Sequence, residues 1–527
     1  MAPNRDRQGV ASSGGADARG SACPTTLSRY TCCVNLPPRR TAAAFALAVA
    51  CYFLFFYQLT GVGLLGPDEP RYASIGREMA RSGDWITPRL WGQPWFEKPP
   101  LLYWMTAAAF RAGLSQDLAP RLGVALLSLG FLFFYYRTLR REFGEAAAFF
   151  STAILATCAA WLGFSHAGVT DLPMTAAFAA AMLLSLGWVE RGDRRGLVPA
   201  AALLGVAVLA KGLLPLALAL PLLWMGRSRL RDLIRPAPIA AFLLVAAPWY
   251  GVMTVRYGHG FFDEFFLKHH LERFTSAAAL QHGQPFWFYG PVLVAALFPW
   301  SPLVALLFRT SLYQERRRRF LLLWLAFGLV FLSLAANKLP GYLLPLLPAA
   351  AALAGLSLAE SPWTPRLLAL SALLLGLVPT VAAGLPGALA KGATHAWSGI
   401  AWWGAAAGMT LAAGVWLLAR AGRRRTATAA LAGAVLLAVV WIETQTFPTL
   451  DESVSARGLW RQVAAHRDDV CVADLSRSWL YGLNYYSVAP LPACAAAPRA
   501  IRIEQAGGAA RLDFAPSPHS EKSARPL

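Results

Sequence analysis

Between residues 42 and 447 the chain alternates long apolar runs with short polar breaks. A helix that crosses a bilayer needs about 20 mostly apolar residues. The pattern predicts thirteen spans: 42–64, 119–136, 145–165, 172–189, 197–211, 212–226, 237–256, 291–308, 320–337, 342–358, 366–386, 398–419 and 427–447. The two runs around Lys211-Gly212 read as a tight hairpin or as one long broken helix. The run 99–113 is short and opens on Pro-Pro, so it predicts a re-entrant or interfacial helix. Beyond 447 the pattern changes: 468–487 reads as a strand, a turn and a helix start, which predicts a small α/β cap, while 505–527 reads as frayed. Residues 1–41 hold no apolar run and predict a disordered tail on the inner side. Segment 42–64 is long for a secretory signal and no small-residue cleavage pattern follows it at once, so it reads as an anchor.

Composition agrees. Of 527 residues, 56% are hydrophobic and 14% charged, against roughly 25% charged in a soluble domain. This excludes a soluble enzyme and a disordered chain. The net charge of +20 then reads as basic loops on one membrane face, without nucleic-acid binding. With the N-terminus inside, the inner segments hold more than half of the 48 Lys and Arg, in clusters such as Arg137/Arg140/Arg141 and Arg316 to Arg319. The outer connections are longer and mixed in sign. Two of the 7 Cys, Cys471 and Cys494, fall in the outer C-terminal region 448–527. A disulfide there is allowed if that side is oxidising, and the sequence leaves it open.

The spans are nearly free of ionisable residues, and the informative charges sit at their outer mouths. This argues against a lipid-linked-sugar flippase or transporter, which needs a midplane site; that class stays as the rival. The first outer loop, 66–118, is the richest. Asp68-Glu69 follow the first span, and Tyr72, Ile75 and Met79 fall on one helical face with Arg71, Arg77, Glu78 and Arg81 elsewhere, which predicts an amphipathic helix lying at the interface. Glu97-Lys98-Pro99-Pro100 holds two charges on stiff, non-helical backbone. Asp171, Lys211, Lys338 and Tyr342 mark further outer turns. Each has a plain reading as well: Asp68-Glu69 and Asp171 as helix caps, Lys211 as a snorkelling side chain, Tyr342 as an interfacial aromatic. Loop 257–290 holds His259, His269, His270 and His282 among Asp263, Glu264, Glu272 and Arg273. Imidazole with carboxylate suits Zn²⁺ better than Mg²⁺, although no dense ligand spacing is present.

Carboxylates, Lys and Arg beside lipid suit a phosphate-bearing lipid. A sugar on a polyprenyl phosphate needs all of these groups. No glycine-rich nucleotide loop appears, which fits a lipid-linked donor.

The stretch PDEPRYASIGREMARSGDWITPRLWGQPWFEKPPLLYW resembles the first periplasmic loop of the bacterial 4-amino-4-deoxy-L-arabinose lipid A transferases. These lie within the GT-C polyprenyl-phosphate glycosyltransferases, with protein O-mannosyltransferases as relatives. TDLPMT, AKGLLPLALALP, FFLKHHLERFT and NKLPGYLLPLLPAAA follow in the family's order. The resemblance implies an all-α polytopic GT-C bundle of about thirteen helices over 42–447, interfacial periplasmic helices and a C-terminal α/β domain. It implies a monomeric inverting enzyme of the bacterial inner membrane with its site facing the periplasm. The donor would be undecaprenyl-phosphate-linked aminoarabinose, the acceptor a lipid A phosphate, and the outcome cationic-peptide resistance. By the same resemblance Asp68 and Asp171 are the catalytic carboxylates. Lys98, Arg273, Tyr342 and Lys338 take the donor phosphate. Glu69, Arg71, Tyr72 and Lys211 line the cavity. Glu97 and His269 hold a divalent metal, Zn²⁺ by family habit. Lys268, His270 and Trp95 depart from the family pattern. Another sugar (glucosamine, galacturonic acid or mannose) and a protein acceptor stay open.

Overall fold

The computed structural model describes residues 38–265, 283–397, 399–506 and 509–514. It divides into two units, 1–47 and 48–527. The described part of the first is the opening of helix α1 (Pro38–Phe55). Everything below concerns the second.

The chain is mostly helical, and its described spans are more broken than the hydropathy pattern predicts. Six described helices are long and apolar enough to cross a membrane, or nine if each bent pair counts as one span. The predicted thirteen is therefore not reproduced. Helices α2 (Asp68–Ser82), α3 (Leu101–Arg111) and α4 (Ala119–Phe143) follow α1, with a two-residue ladder of β1 (Arg89–Leu90) and β2 (Gln93–Pro94) between α2 and α3. The predicted span 145–165 breaks into α5 (Glu145–Thr157) and α6 (Ala159–Ser165), bent by 61° where Cys158 turns extended. The span 291–308 bends by 119°, and 366–386 splits into two helices at 49°. Helices α7 (Asp171–Leu184), α8 (Leu186–Arg191) and α9 (Leu197–Lys211) come next. Gly212 sits at φ +75° and Pro215 and Pro221 follow, so 214–225 forms two short helical pieces. The chain then turns back beside α9: Leu220 and Leu223 share a cavity wall with Leu197 and Ala200, and Arg229 donates to the Trp188 carbonyl, so the hairpin is the alternative observed.

The centre of the bundle is Leu347–Glu360, whose residues from Leu347 to Leu358 are all buried. It packs on α5 so tightly that a Cβ on Gly355 would lie 2.3 Å from the Ser151 hydroxyl. The small residues Ala349 to Ala352, Ala354 and Gly355 are what let two backbones approach so closely.

Helix α2 departs from expectation. It opens on Asp68-Glu69-Pro70 and stops at Gly83, φ +74°, whose amide returns to the Met79 carbonyl. Acidic residues and Pro suit a first turn, and a left-handed Gly suits a stop. Tyr72, Ile75 and Met79 are buried as predicted, but so are Arg71 and Arg77. The helix packs against both α3 and the C-terminal helix Arg477–Tyr486. At Gly76 a Cβ would stand 2.6 Å from a Thr106 methyl, so α2 and α3 touch there.

The C-terminal region is a small α/β unit. Helices Phe447–Val454 and Ala456–Val463 precede β3 (Val470–Ala473); β3 runs parallel to β4 (Ile501–Ala506), which pairs antiparallel with β5 (Ala509–Phe514). Helix Arg477–Tyr486 lies between β3 and β4 in sequence. The ladder reaches residue 514, so the expectation of frayed chain from 505 fails as far as that; 515–527 lie outside the described residues. Ile501 and Ile503 point inward on alternate positions, a period of two that decides for a strand. Cys471 and Cys494 form a disulfide.

Candidate active site

The first-loop charges form one connected chain. Arg71 Nη2 stands 2.5 Å from Asp68 Oδ1 and 3.0 Å from Glu97 Oε2, and Lys98 Nζ stands 3.2 Å from Glu97 Oε1. Carboxylates and cations alternate along it. The Asp68 side chain is 46% exposed while Glu97 is 4% exposed, so Asp68 is the open end and Glu97 the buried anchor. The Arg71 guanidinium also lies over the rings of Tyr72, Trp95 and Tyr481 at 5.3–5.5 Å. Tyr481 stacks on Trp91, so the C-terminal LYGLNYYS segment walls the site. Arg71 Nε, Tyr103 Oη, Trp91 Nε1 and Trp95 Nε1 are buried donors without a hydrogen-bond acceptor. All four lie within one side-chain contact of the Arg71 guanidinium or its ring partners. Such a surplus of donors suits a ligand rich in acceptor oxygens.

Burial drives the Tyr72 and Tyr103 hydroxyls far above their ordinary value, and nearby Asp68 and Glu97 add to this. Both stay protonated donors at neutral pH. Burial alone lowers Arg71, but Glu97, Tyr72 and Asp68 outweigh it and hold the guanidinium charged.

A second group gathers around Asp171, in the first turn of α7. Its Oδ1 accepts from Lys211 Nζ at 2.6 Å, and Lys211 lies 4.6 Å from the centre of the Tyr342 ring. Asp171 is thus a partner of Lys211, where a helix cap was one sequence reading. Lys211 does not snorkel but turns inward. Gly341 packs against Asp171 and Phe164, with no room for a Cβ: one there would stand 2.7 Å from the Phe164 ring. Lys338, expected at the donor phosphate, is buried and donates to the Gln284 and Ala335 carbonyls. In this arrangement it serves the backbone.

Glu69 ties the two groups together. Its carboxylate takes two prongs from Arg121, at 2.6 and 2.8 Å, and accepts from the amides of Leu65 and Gly168, each at 2.8 Å. Glu69 adjoins Asp68, and Gly168 lies three residues before Asp171. One buried carboxylate therefore fixes both reactive-looking carboxylates relative to the first span. Arg121 further donates to the carbonyls of Leu59, Val62 and Gly63. Sequence reasoning missed Arg121; its signal was an Arg one turn inside an apolar run.

Arg457 repeats the device from the C-terminal side, donating to the Thr60 and Gly61 carbonyls and pairing with Asp117 and Asp451. Glu443 was also missed. It is buried in the last turn of Arg424–Gln445, 3.5 Å from His166, and both line an apolar cavity of about 460 Å³ that reaches Glu69 and Arg121.

His269 and Arg273 lie outside the described residues, as do Lys268, His270, Glu272 and His282. Among the described residues no group of three His, Cys, Asp or Glu could hold a metal ion. Glu97, the described half of the expected metal pair, has both oxygens facing cations.

Residues 97–251 match the family model for dolichyl-phosphate-mannose-protein mannosyltransferases. The undecaprenyl phosphate-α-4-amino-4-deoxy-L-arabinose arabinosyl transferase of Erwinia tasmaniensis is 32% identical over 320 residues, which is 58% of this chain and 57% of that one. Its counterpart in Pseudomonas aeruginosa is 33% identical over 339 residues, 61% and 60% of the two chains. The alignments thus span less than two thirds of the curated relatives. The crystal structure of ArnT from Cupriavidus metallidurans bound to undecaprenyl phosphate superposes with a TM-score of 0.71 at 24% identity, over 88% of this chain and 93% of that one. The chain has the membrane fold of that ArnT, and in sequence it resembles the aminoarabinosyl transferases that use undecaprenyl phosphate.

Proposed function

We propose that the chain is an inverting glycosyltransferase that moves 4-amino-4-deoxy-L-arabinose from undecaprenyl phosphate to a phosphate of lipid A. The observation that carries this reading is the Asp68–Arg71–Glu97–Lys98 chain, ringed by donors that lack acceptors. Lys98 and Arg71 are braced by Glu97 and stabilise the charge that grows on the departing polyprenyl phosphate. Tyr72 and Tyr103 stay protonated and donate to phosphate or sugar oxygens. Asp68, the exposed end, faces the acceptor or the sugar's ammonium. A lipid A phosphate is already an anion, so attack on the anomeric carbon needs orientation more than deprotonation. The carbon–oxygen bond to the carrier breaks as the bond to the acceptor oxygen forms on the opposite face. Asp171 and Lys211 form the second wall.

The same reading places the site on the periplasmic side of a bacterial inner membrane. The Cys471–Cys494 disulfide supports an oxidising outer side, and the basic inner loops agree with it. A Zn²⁺ shared by Glu97 and His269 is a separate proposal, tested by elemental analysis of purified wild type against His269→Ala.

The test is donor consumption by the purified chain in lipid nanodiscs with Gram-negative lipid A. Undecaprenyl-phosphate-linked aminoarabinose, glucosamine and galacturonic acid are offered in turn. Consumption of the aminoarabinose donor with release of undecaprenyl phosphate supports the reading. Consumption of another donor in its place overturns the sugar assignment.

A further inference from the structure

A second cationic site lies on the far side of α2. Arg77 and Arg81 are nine and thirteen residues beyond Asp68 on that helix. At 3.6 residues and 5.4 Å per turn they point away from Asp68 and stand about 14 and 20 Å along the axis from it. With Arg111, in the last turn of α3, they line a pocket of about 270 Å³ that Gln116 and Val488 help to close. No carboxylate lines it, and among the described residues none pairs with any of the three arginines.

Arg77 is the unusual member. It is buried, its guanidinium lies 4.3 Å from the centre of the Tyr485 ring, and Nη2 donates to the Tyr485 carbonyl at 2.8 Å. Tyr485 is in turn fixed by its hydroxyl to the Gln116 carbonyl at 2.6 Å. The guanidinium is therefore held in place with most of its donors uncommitted to protein acceptors. Burial lowers it from its ordinary value and Arg81 adds to this, while Tyr485 and, less strongly, Glu78 oppose it. Val488 on the pocket rim stands at φ +71°, a costly conformation for a β-branched residue. Arg81 and Arg111 alone would be ordinary cations at helix C-termini. That account leaves out Arg77, which is one turn further in and buried, and the convergence of all three on one pocket.

We propose that Arg77, Arg81 and Arg111 bind a second acidic group of the acceptor, a phosphate set apart from the one that is glycosylated. This rests on the lipid A reading above, because such an acceptor carries anionic groups at both ends of a sugar backbone. The planar guanidinium fork fits phosphate oxygens two at a time. The two phosphates would then lie about 14–20 Å apart along the α2 axis and on opposite faces of that helix, with the sugar backbone passing around it.

The test uses the full chain in nanodiscs and the double variant Arg81→Ala/Arg111→Ala. Both side chains are exposed, so the fold is retained. Binding of lipid A with two phosphates is compared with binding of lipid A with one. The proposal expects the variant to weaken binding of the two-phosphate acceptor about tenfold or more, to leave the one-phosphate acceptor unchanged, and to raise KM without lowering kcat. Equal loss for both acceptors, or no loss for either, overturns it. Inorganic phosphate that displaces two-phosphate lipid A from wild type and not from the variant assigns the pocket to free anions and overturns the acceptor role. The binding arm reads out even if no sugar is transferred, so failure of the transfer reading is seen separately.

Discussion

Arg121 and Glu69 meet at two points within the bundle, Nε to Oε1 at 2.6 Å and Nη2 to Oε2 at 2.8 Å. Both side chains are at most 5% exposed. Burial costs both charges solvation, and the fork geometry with three backbone carbonyls and two amides repays it. Removing one partner leaves a buried charge uncompensated, which costs about 3–5 kcal/mol. Glu69→Ala and Arg121→Ala are each expected to lower the thermal midpoint of the detergent-solubilised protein by several degrees and to abolish activity. The exchange Glu69→Leu/Arg121→Met should recover stability and not activity, since nothing then ties the Gly168 amide to α2. A melt unchanged in the single variants would contradict the clamp.

Lys98 and Arg71 share Glu97, but only Lys98 carries a point charge on a flexible stem. Lys98→Ala is expected to lower kcat by about 10²-fold, the usual cost of one lost donor to developing charge. Its effect on KM for the acceptor should be small. Steady-state kinetics with saturating donor checks this; a change confined to KM would make Lys98 a binding residue with no part in the chemical step.

Asp84 supplies a pH dependence in the outer loop. Burial alone would raise its carboxyl, but the Thr87 and Ile86 amides and the charges of Arg256 and Arg89 outweigh this and lower it. A depressed folded-state value means stability that is present above the unfolded value of about 3.9 and lost as pH falls through the folded value. Acid should therefore loosen the 84–89 turn below about pH 4. In Asp84→Asn that acid sensitivity should be missing, as read by hydrogen exchange of the Ile86 and Thr87 amides. An identical acid profile in the variant would contradict it.

The Cys471–Cys494 disulfide closes a loop of 23 residues around β3 and Arg477–Tyr486. Loop closure of that size stabilises by about 3 kcal/mol. Cys471→Ser/Cys494→Ser, or reduction of wild type, should lower the melting midpoint of the C-terminal unit. Because Tyr481 and Tyr486 belong to that helix, activity should fall with it. Full activity after verified reduction would contradict the link between the cap and the site.

Much of the site was legible because charges in an apolar chain are conspicuous. Asp68, Arg71, Glu97, Lys98, Asp171, Lys211 and Tyr342 could be picked out by type and position, and the structure gathers them into two groups. Their partners were not legible. That Asp171 meets Lys211 depends on the ends of α7 and α9 lying side by side, which no local pattern encodes. Arg121 and Arg457 act through backbone carbonyls some 60 and 400 residues away in sequence. Lys338, expected at the donor phosphate, is buried and donates to the Gln284 and Ala335 carbonyls, partners that no local pattern encodes. The breaks within spans were not legible because hydropathy sums over Cys158, Gly212 and the prolines that interrupt the helices. β4 and β5 were overlooked because a short hairpin with Arg502, Glu504, Arg511 and Asp513 on one face carries little hydropathy.

The central claim is transfer of aminoarabinose to lipid A at the Asp68 site. Its most direct test is mass spectrometry of lipid A from a Gram-negative strain that makes the aminoarabinose carrier lipid but lacks its own transferase. Wild type and Asp68→Ala are expressed in parallel, with both proteins verified in the membrane. The account predicts an added aminopentose on a lipid A phosphate with wild type and none with Asp68→Ala. Unmodified lipid A with wild type, or equal modification with both proteins, would contradict it.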